Sequence, residues 1–484
     1  MVHSRNDQIA ALATPWGSSA IAVIRTSGPD CIGALGALTD RRDTVTAAPG
    51  GALRRARIVD PSTGEVLDDV VLGIYREPRS YTGEEIVEIF CHGSVPGIRE
   101  ILSLLYRSGF RAAEPGEFTL RAFLAGKVDL TRAEAVQEIV RSRTAAGHEM
   151  ALRRLGGSVE AAINRCKAAL VQLMAMVAVQ LDYPEEETGE IPLPEGEIRR
   201  VRSELADLAA TYRTGRLYQE GIRIALAGRT NAGKSSLFNA LLREDRSIVS
   251  ETPGTTRDYI ESTLDLEGIP ATLFDTAGLR DTAEEIEGEG IRRTTRVMEA
   301  ADVILYLVDG VEGLTPEDER ILATFRDSRE STGATHVESR PNAGPDANPA
   351  ANPAEGDSAP SRLLLVWNKV DSPACRPAPP EYIPVSATAM HGLEALARTV
   401  LERVRPGSSH RETAVVIDSR RQRDLLDRAV DSLRHVENGV QQGIPVDAIS
   451  LDLQEAIHAL GEITGEVSSA DILDALFQGF CVGK

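Results

Sequence analysis

The sequence predicts a multidomain chain: an α+β N-terminal domain, an all-α helical domain and, inserted into the latter, an α/β domain with a doubly wound, mostly parallel sheet. Three observations lead there. At 484 residues the chain is too long for one core, because domains usually run to about 100–200 residues. Its apolar period changes from short alternating runs to steps of three or four, then to strands alternating with helical segments, and finally back to steps of three or four. A glycine-rich loop also follows directly on an alternating strand near Gly221, where a doubly wound sheet would begin.

Residues 1–126 carry β-like runs at Ile21–Ile24, Val70–Tyr75 and Ile86–Phe90 and one helical pattern at Ile98–Leu105, which gives the α+β reading. From 127 to 220 the pattern is helical. Leu155, Val159, Ile163, Cys166, Leu170, Leu173, Val177 and Leu181 should form one long buried stripe, and the acidic run Asp182–Glu187 a solvated loop. The α/β domain occupies 221–406. Its strands are expected at Ile222–Leu226, Tyr259–Leu266, Ala271–Phe274, Val303–Val308, Leu363–Trp367 and Tyr382–Val385. Within it, about 327–360 is rich in Pro, Ala, Asn and Gly and reads as a disordered insertion. Helical periodicity returns over 407–484, so the helical domain is split around the insert.

Composition narrows the function. A formal charge of −20 and 4% aromatic residues argue against broad nucleic-acid surfaces, so any RNA contact must be local. The scattered Cys31, Cys91, Cys166, Cys375 and Cys481 form no CxxC pair, which suggests a reducing compartment and no structural metal. Neither a signal-peptide core nor a run of about 18 apolar residues is evident, so a cytoplasmic protein with no membrane contact is expected.

The chemistry begins at Gly228–Ser235, GRTNAGKS, which matches the phosphate-loop pattern GxxxxGK[ST] between a strand and a helix. The amides of Asn231, Ala232, Gly233, Lys234, Ser235 and Ser236 would face phosphate oxygens, with the Lys234 ammonium on the outer phosphates and the Ser235 hydroxyl on Mg²⁺. Asp275, Thr276, Ala277 and Gly278 (DTAG) follow a strand, so Asp275 can hold the Mg²⁺ shell and Gly278 can offer an amide to the γ-phosphate. Upstream, Ser250, Glu251, Thr252, Pro253, Gly254, Thr255 and Thr256 lie at the distance of a first switch loop, Thr256 being the second Mg²⁺ hydroxyl.

Asn368, Lys369 and Asp371 (NKVD) end another strand. The Asp371 carboxylate can accept both the ring N–H and the amine of guanine, and buried recognition of that kind rejects a mismatched ligand by roughly 10⁴–10⁵. Ser386 and Ala387 would add the last contact to the base. GTP is therefore the expected substrate. Leu279 stands where small Ras-like GTPases place a water-orienting glutamine, so water must be activated by another group.

GRTNAGKSSLFN, SETPGTTRD, DTAGLRDTAEEIEGEGI and the terminal FCVGK together closely resemble the MnmE (TrmE) family of tRNA modification GTPases. The resemblance covers almost the whole chain and extends to SYTGEEIVEIFCHG, RAAEPGEFTLRAFLAGKVDLTRAEAV and EITGEVSSADILDALFQGFCVGK. It implies an N-terminal folate-binding domain that makes a homodimer, a helical domain, and an inserted P-loop G domain whose hydrolysis depends on K⁺-assisted dimerisation. By the same resemblance Asn231, Ser250, Thr252 and Thr255 are K⁺ positions, and Glu287 is the catalytic glutamate that orients water. Arg25, Glu88, Lys127 and Lys484 match positions used around 5-formyltetrahydrofolate or a related tetrahydrofolate. Cys481 matches a near-terminal family cysteine and reads equally well as a nucleophile or as a buried thiol beside Phe480.

The family acts with the flavoprotein MnmG (GidA) to add an aminomethyl-type group at carbon 5 of the wobble uridine of tRNA. A second reading is a ribosome-assembly GTPase switch, which would share every motif from Gly228 to Ala387 but would carry a basic RNA-binding appendage in place of this N-terminal region.

Overall fold

The computed structural model describes residues 7–182, 193–244, 261–275, 301–323, 362–405 and 415–483. It divides into two compact units, one built from Met1–Ser142, His148–Tyr212 and Glu412–Lys484, the other from Arg143–Gly147 and Arg213–Arg411.

The first unit opens with a six-stranded sheet of β1 (Ile9–Leu12), β2 (Ser19–Ser27), β3 (Ala52–Val59), β4 (Val66–Tyr75), β5 (Ile86–Gly93) and β6 (Arg111–Ala112). The spatial order is β3-β4-β5-β2-β1-β6, antiparallel throughout except for the parallel pairing of β1 with β6. One face buries Ile24, Leu72, Ile74 and Ile89 against helix Val95–Arg107, whose Ile98, Ile101, Leu102 and Leu105 recur at helical spacing. Strand β3 is absent from the sequence expectation. It is an edge strand whose Arg54, Arg55 and Arg57 mask its alternation; Arg55 pairs with Asp69 and Arg57 with Asp40.

The same unit holds a helical bundle. Ser158–Asp182, Glu195–Ala210, Arg420–Gln442 and Val446–Thr464 bury one shared core that includes Ile163, Leu170, Val201, Leu426, Leu433, Leu453 and Leu460. The first two helices precede the inserted stretch and the last two follow it. The expected stripe is buried from Val159 to Val177, whereas Leu155 belongs to the preceding helix and Leu181 is 52% exposed. Ser158–Asp182 is also long and apolar enough to cross a membrane by composition, contrary to the expectation that no such run exists. Its buried stripe lies in the bundle core, as in a core helix. The acidic run after Asp182 and the whole of the 327–360 stretch fall outside the described residues.

The second unit carries β7 (Ile222–Gly228), β8 (Glu261–Leu266), β9 (Ile269–Asp275), β10 (Val303–Asp309), β11 (Leu363–Asn368) and β12 (Tyr382–Pro384) in the order β12-β11-β10-β7-β9-β8. Every pairing is parallel except β8 with β9. The chain crosses from β7 to β9 on one side and to β10 on the other. Such a reversal opens a crevice at the carboxyl ends of the strands, where ligands of doubly wound sheets bind.

Candidate nucleotide site

Strand β7 is buried along almost its whole length between β9 and β10, as a central parallel strand must be. Its last residue, Gly228, pairs with Leu307, and Leu226 pairs with Asp275, so the phosphate-loop motif and the DTAG aspartate leave the sheet at the same edge. The loop turns through Asn231 (φ 66°) and Gly233 (φ 93°) into helix Lys234–Glu244, which buries Leu237, Phe238, Ala240 and Leu241 on the sheet. A Cβ on Gly233 would lie 2.2 Å from the Asn368 amide nitrogen, so only glycine fits there. The Lys234 ammonium donates to the Gly228 and Arg229 carbonyls at 2.9 and 2.7 Å, lying back along the loop. Asn231, Ser235 and Ser236 are exposed at the loop and the first helical turn, while Ala232 and Lys234 are buried.

The second half of the site comes from β11 and the turn after β12. Asn368 is 2% exposed; its amide donates to the Ala232 carbonyl at 2.9 Å and its carbonyl accepts from the Ala387 amide at 3.4 Å. One side chain thus joins the phosphate loop, NKVD and the Ser386–Ala387 turn. The Ser386 hydroxyl donates to Asp371 Oδ1 at 2.7 Å and accepts from the Ala389 amide at 2.9 Å, which orients the exposed Asp371 carboxylate. Lys369 holds φ 66° and pairs with Asp309 at 2.6 Å.

The structure therefore brings Asn231–Ser236, Asn368, Lys369, Asp371, Ser386 and Ala387 to one end of the sheet, with the backbone of Asp275 beside them. The Asp275 side chain, Ser250–Thr256, Thr276–Gly278, Glu287 and Lys484 lie outside the described residues. Sequence reasoning missed Asp309. Its signal is a strand-terminal aspartate followed by glycine, VILYLVDG, the same placement that marks Asp275.

A second polar cluster sits on the N-terminal sheet. Arg25 on β2 and Glu88 on β5 are register partners, and the Arg25 Nε and Nη2 both donate to Glu88 Oε1, at 3.0 and 2.8 Å. Arg25 Nη1 donates to the Gly483 carbonyl at 3.2 Å, and its guanidinium lies 5.8 and 5.7 Å from the ring centroids of Tyr81 and Phe118. The Tyr75 hydroxyl donates to Glu88 Oε2 at 3.4 Å; burial, then the Glu88 charge, lift the Tyr75 phenol above its usual range. Lys127 is exposed and its stem passes close to Gly83. Cys481 is exposed, so of its two readings the buried thiol is set aside; Phe480 beside it is buried.

A family model described as the N-terminus of the GTP-binding protein TrmE matches residues 8–127, and one described as the MnmE helical domain matches 130–481. Among curated relatives, "tRNA modification GTPase MnmE" of Treponema denticola is 40% identical over 486 residues, covering 100% of this chain and 99% of its own. The proteins of the same name from Carboxydothermus hydrogenoformans and Borreliella burgdorferi are 36% and 37% identical, each over 99% of both chains. With identity at this level along the full length and both family models matched, the chain belongs to the MnmE family of tRNA modification GTPases.

Proposed function

We propose that this GTPase binds Mg²⁺-GTP across the edge formed by β7, β9, β10 and β11 and couples its hydrolysis to modification of the wobble uridine of tRNA. The observation that carries the reading is the Asn368 side chain, which fastens the base-reading loop to the phosphate loop through Ala232. In this reading the amides of Asn231–Ser236 hold phosphate oxygens, and the Lys234 ammonium swings outward from the Gly228 and Arg229 carbonyls to the outer phosphates. Asp371, oriented by Ser386, accepts from the guanine edge.

The oxygen donors fit magnesium. The Ser235 hydroxyl is exposed in the first turn of its helix, and Asp275 ends the neighbouring strand, a small set of hard ligands that leaves room for phosphate and water. Bound there, magnesium would neutralise phosphate charge. Thr256 would be the switch-loop hydroxyl, Glu287 would orient the attacking water, and Asn231 with Ser250, Thr252 and Thr255 would hold K⁺. Support for the K⁺ role in the described residues is the exposed, left-handed Asn231 of the loop.

In the N-terminal domain Arg25 and Glu88, with Lys127 and Lys484, would hold a tetrahydrofolate such as 5-formyltetrahydrofolate; the paired charges flanked by Tyr75, Tyr81 and Phe118 suit a flat heterocycle. The same open sheet face carries Leu53, Val71 and Ile21, 63%, 38% and 61% exposed, which supports a homodimer formed through it. The remaining parts of the reading are a flavoprotein partner, MnmG, a cytoplasmic setting, and an aminomethyl-type product at uridine 34.

Nucleoside analysis of tRNA from a strain lacking this chain tests the role. The expected result is an unmodified wobble uridine, restored by the wild-type gene and not by Lys234→Ala; full modification without the gene would end the reading. In vitro, K⁺ should stimulate GTP hydrolysis well above Na⁺ and Asn231→Ala should erase the difference, whereas equal rates in both salts for the wild type would remove the K⁺ role.

A further inference from the structure

Asp309 ends β10 directly beside Asn368, its register partner on β11. Its Oδ1 accepts from the Val311 amide at 2.9 Å and its Oδ2 from the Lys369 ammonium at 2.6 Å. The turn that follows is locked to the base-reading strand: the Gly310 amide donates to the Asn368 carbonyl at 2.9 Å, and the Arg376 amide to the Gly310 carbonyl at 2.8 Å. No side chain fits at Gly310, where a Cβ would lie 2.6 Å from both the Asn368 carbonyl and the Cys375 sulfur. Farther along, Glu312 and Glu317 pair with Arg229 of the phosphate loop. The stretch after β10 therefore touches both loops of the nucleotide site.

The Asp309 side chain is 13% exposed and the Lys369 side chain 39%, so the carboxylate is the fixed partner and the lysine the one being held. Burial alone would raise the Asp309 carboxyl; the Lys369 ammonium and the amides of Val311 and Glu312 more than offset it and keep the group ionised. Lys369 also holds a left-handed backbone, a strain that persists only where the surroundings over-determine it. A lysine stem left to rotate would lose its rotamer freedom when a ligand packs on it, and fixing it beforehand removes that cost.

We propose that Asp309 is a positioning residue for guanine nucleotide: it holds the Lys369 ammonium, so that the apolar lysine stem between Asn368 and Asp371 is ordered before the purine arrives. Asp309 itself does not touch the ligand. The inference rests on the reading of Asn368–Asp371 as the base-reading loop.

The test uses the full-length protein and a fluorescent GDP. Asp309→Asn keeps an acceptor for the Val311 amide and loses the charge. It should speed GDP release and weaken GDP and GTP alike by roughly 10-fold, the range for a hydrogen bond to a charged group. The loss should appear in KM, with kcat at saturating GTP within about twofold of wild type. In the Lys369→Met background the same substitution should add nothing. Unchanged GDP release, or a loss that adds to that of Lys369→Met, overturns the inference, as does a lowered Tm with normal release. Asp371→Asn separates the two layers. If it leaves guanine preference intact, the base-reading assignment fails; if it removes that preference while Asp309→Asn binds normally, only the role of Asp309 falls.

Discussion

The Asn368 amide donates to the Ala232 carbonyl at 2.9 Å, joining residues 136 positions apart. The bond is buried, and its other end is tied to the Ala387 amide, so a shift of either loop is felt by the other. In the proposed reading, base recognition and phosphate binding are in this way parts of one hydrogen-bonded frame.

Asn368→Ala should therefore impair both nucleotides together. It strands the buried Ala232 carbonyl and removes the acceptor facing the Ala387 amide, at about 1–3 kcal/mol for a buried group left unpaired. Calorimetric titration should show GDP and GTP weakened by similar factors, together with lower thermal stability of the second unit. Affinity unchanged for both would mean that the frame does not govern binding.

What made this half of the site readable is local chemistry. Ile222, Ile224 and Leu226 alternate up to a loop whose glycines are required by backbone geometry, and NKVD ends an apolar run. The fold of the second unit was legible for the same reason, since buried parallel strands are short apolar runs between helical segments. Strand β3 was not, because an edge strand carrying Arg54, Arg55 and Arg57 resembles a solvated segment. Asp309 shows only as a strand-terminal aspartate, because its significance lies in the register that sets it beside Asn368, and nothing in the order of residues gives that register. The Arg25–Glu88 pair, 63 residues apart, is likewise a product of strand pairing; only the family resemblance brought those two residues together in advance.

Glu88→Gln probes the folate reading with little change of shape. The amide oxygen can still accept from Arg25, but the negative charge beside Tyr75 is gone. Equilibrium dialysis with 5-formyltetrahydrofolate should show affinity reduced by roughly 10-fold or more, in keeping with the loss of a charge-assisted contact. The melting temperature should hardly move. Equal affinity in the variant would place the ligand elsewhere.

Thiol reactivity offers a test of packing. Burial, opposed in part by the Thr26 hydroxyl, lifts Cys31 to about 12, and burial with the Asp68 charge lifts Cys91 to about 11. At pH 8 a thiol with a pKa near 11 is ionised to about one part in a thousand, and the thiolate is the reactive form. Cys481 is exposed, so a disulfide reagent should label it first, with Cys31 and Cys91 reacting only on unfolding. Fast labelling of Cys91 in the native protein would show that the N-terminal sheet opens readily.

The last prediction concerns a buried charge cluster where the chain returns to the bundle. Arg154 donates to Glu138 at 2.6 Å and to Asp418 at 3.0 Å, and the Ile417 amide donates to the Thr211 hydroxyl at 3.1 Å, so the segments leaving and re-entering the bundle meet here. Glu134, paired with Arg421, faces the same cluster. Two carboxylates share one guanidinium, and among the described residues no donor reaches Asp418 Oδ1. Burial first, then the Asp418 charge, raise Glu138 well above its ordinary value of 4.5, against the pull of Arg154. The native state thus holds this proton more tightly than the unfolded chain does. The resulting stabilisation is complete below about pH 4.5, the ordinary glutamate value, and fades as pH rises through the higher folded value. Glu138→Gln mimics the protonated acid at every pH and offers an N–H to Asp418. Hydrogen exchange in the bundle helices should show wild type losing stability relative to this variant as pH rises through that window, with the two converging at its acidic end. A difference that stays constant across the window would show that Glu138 is ionised in the folded protein.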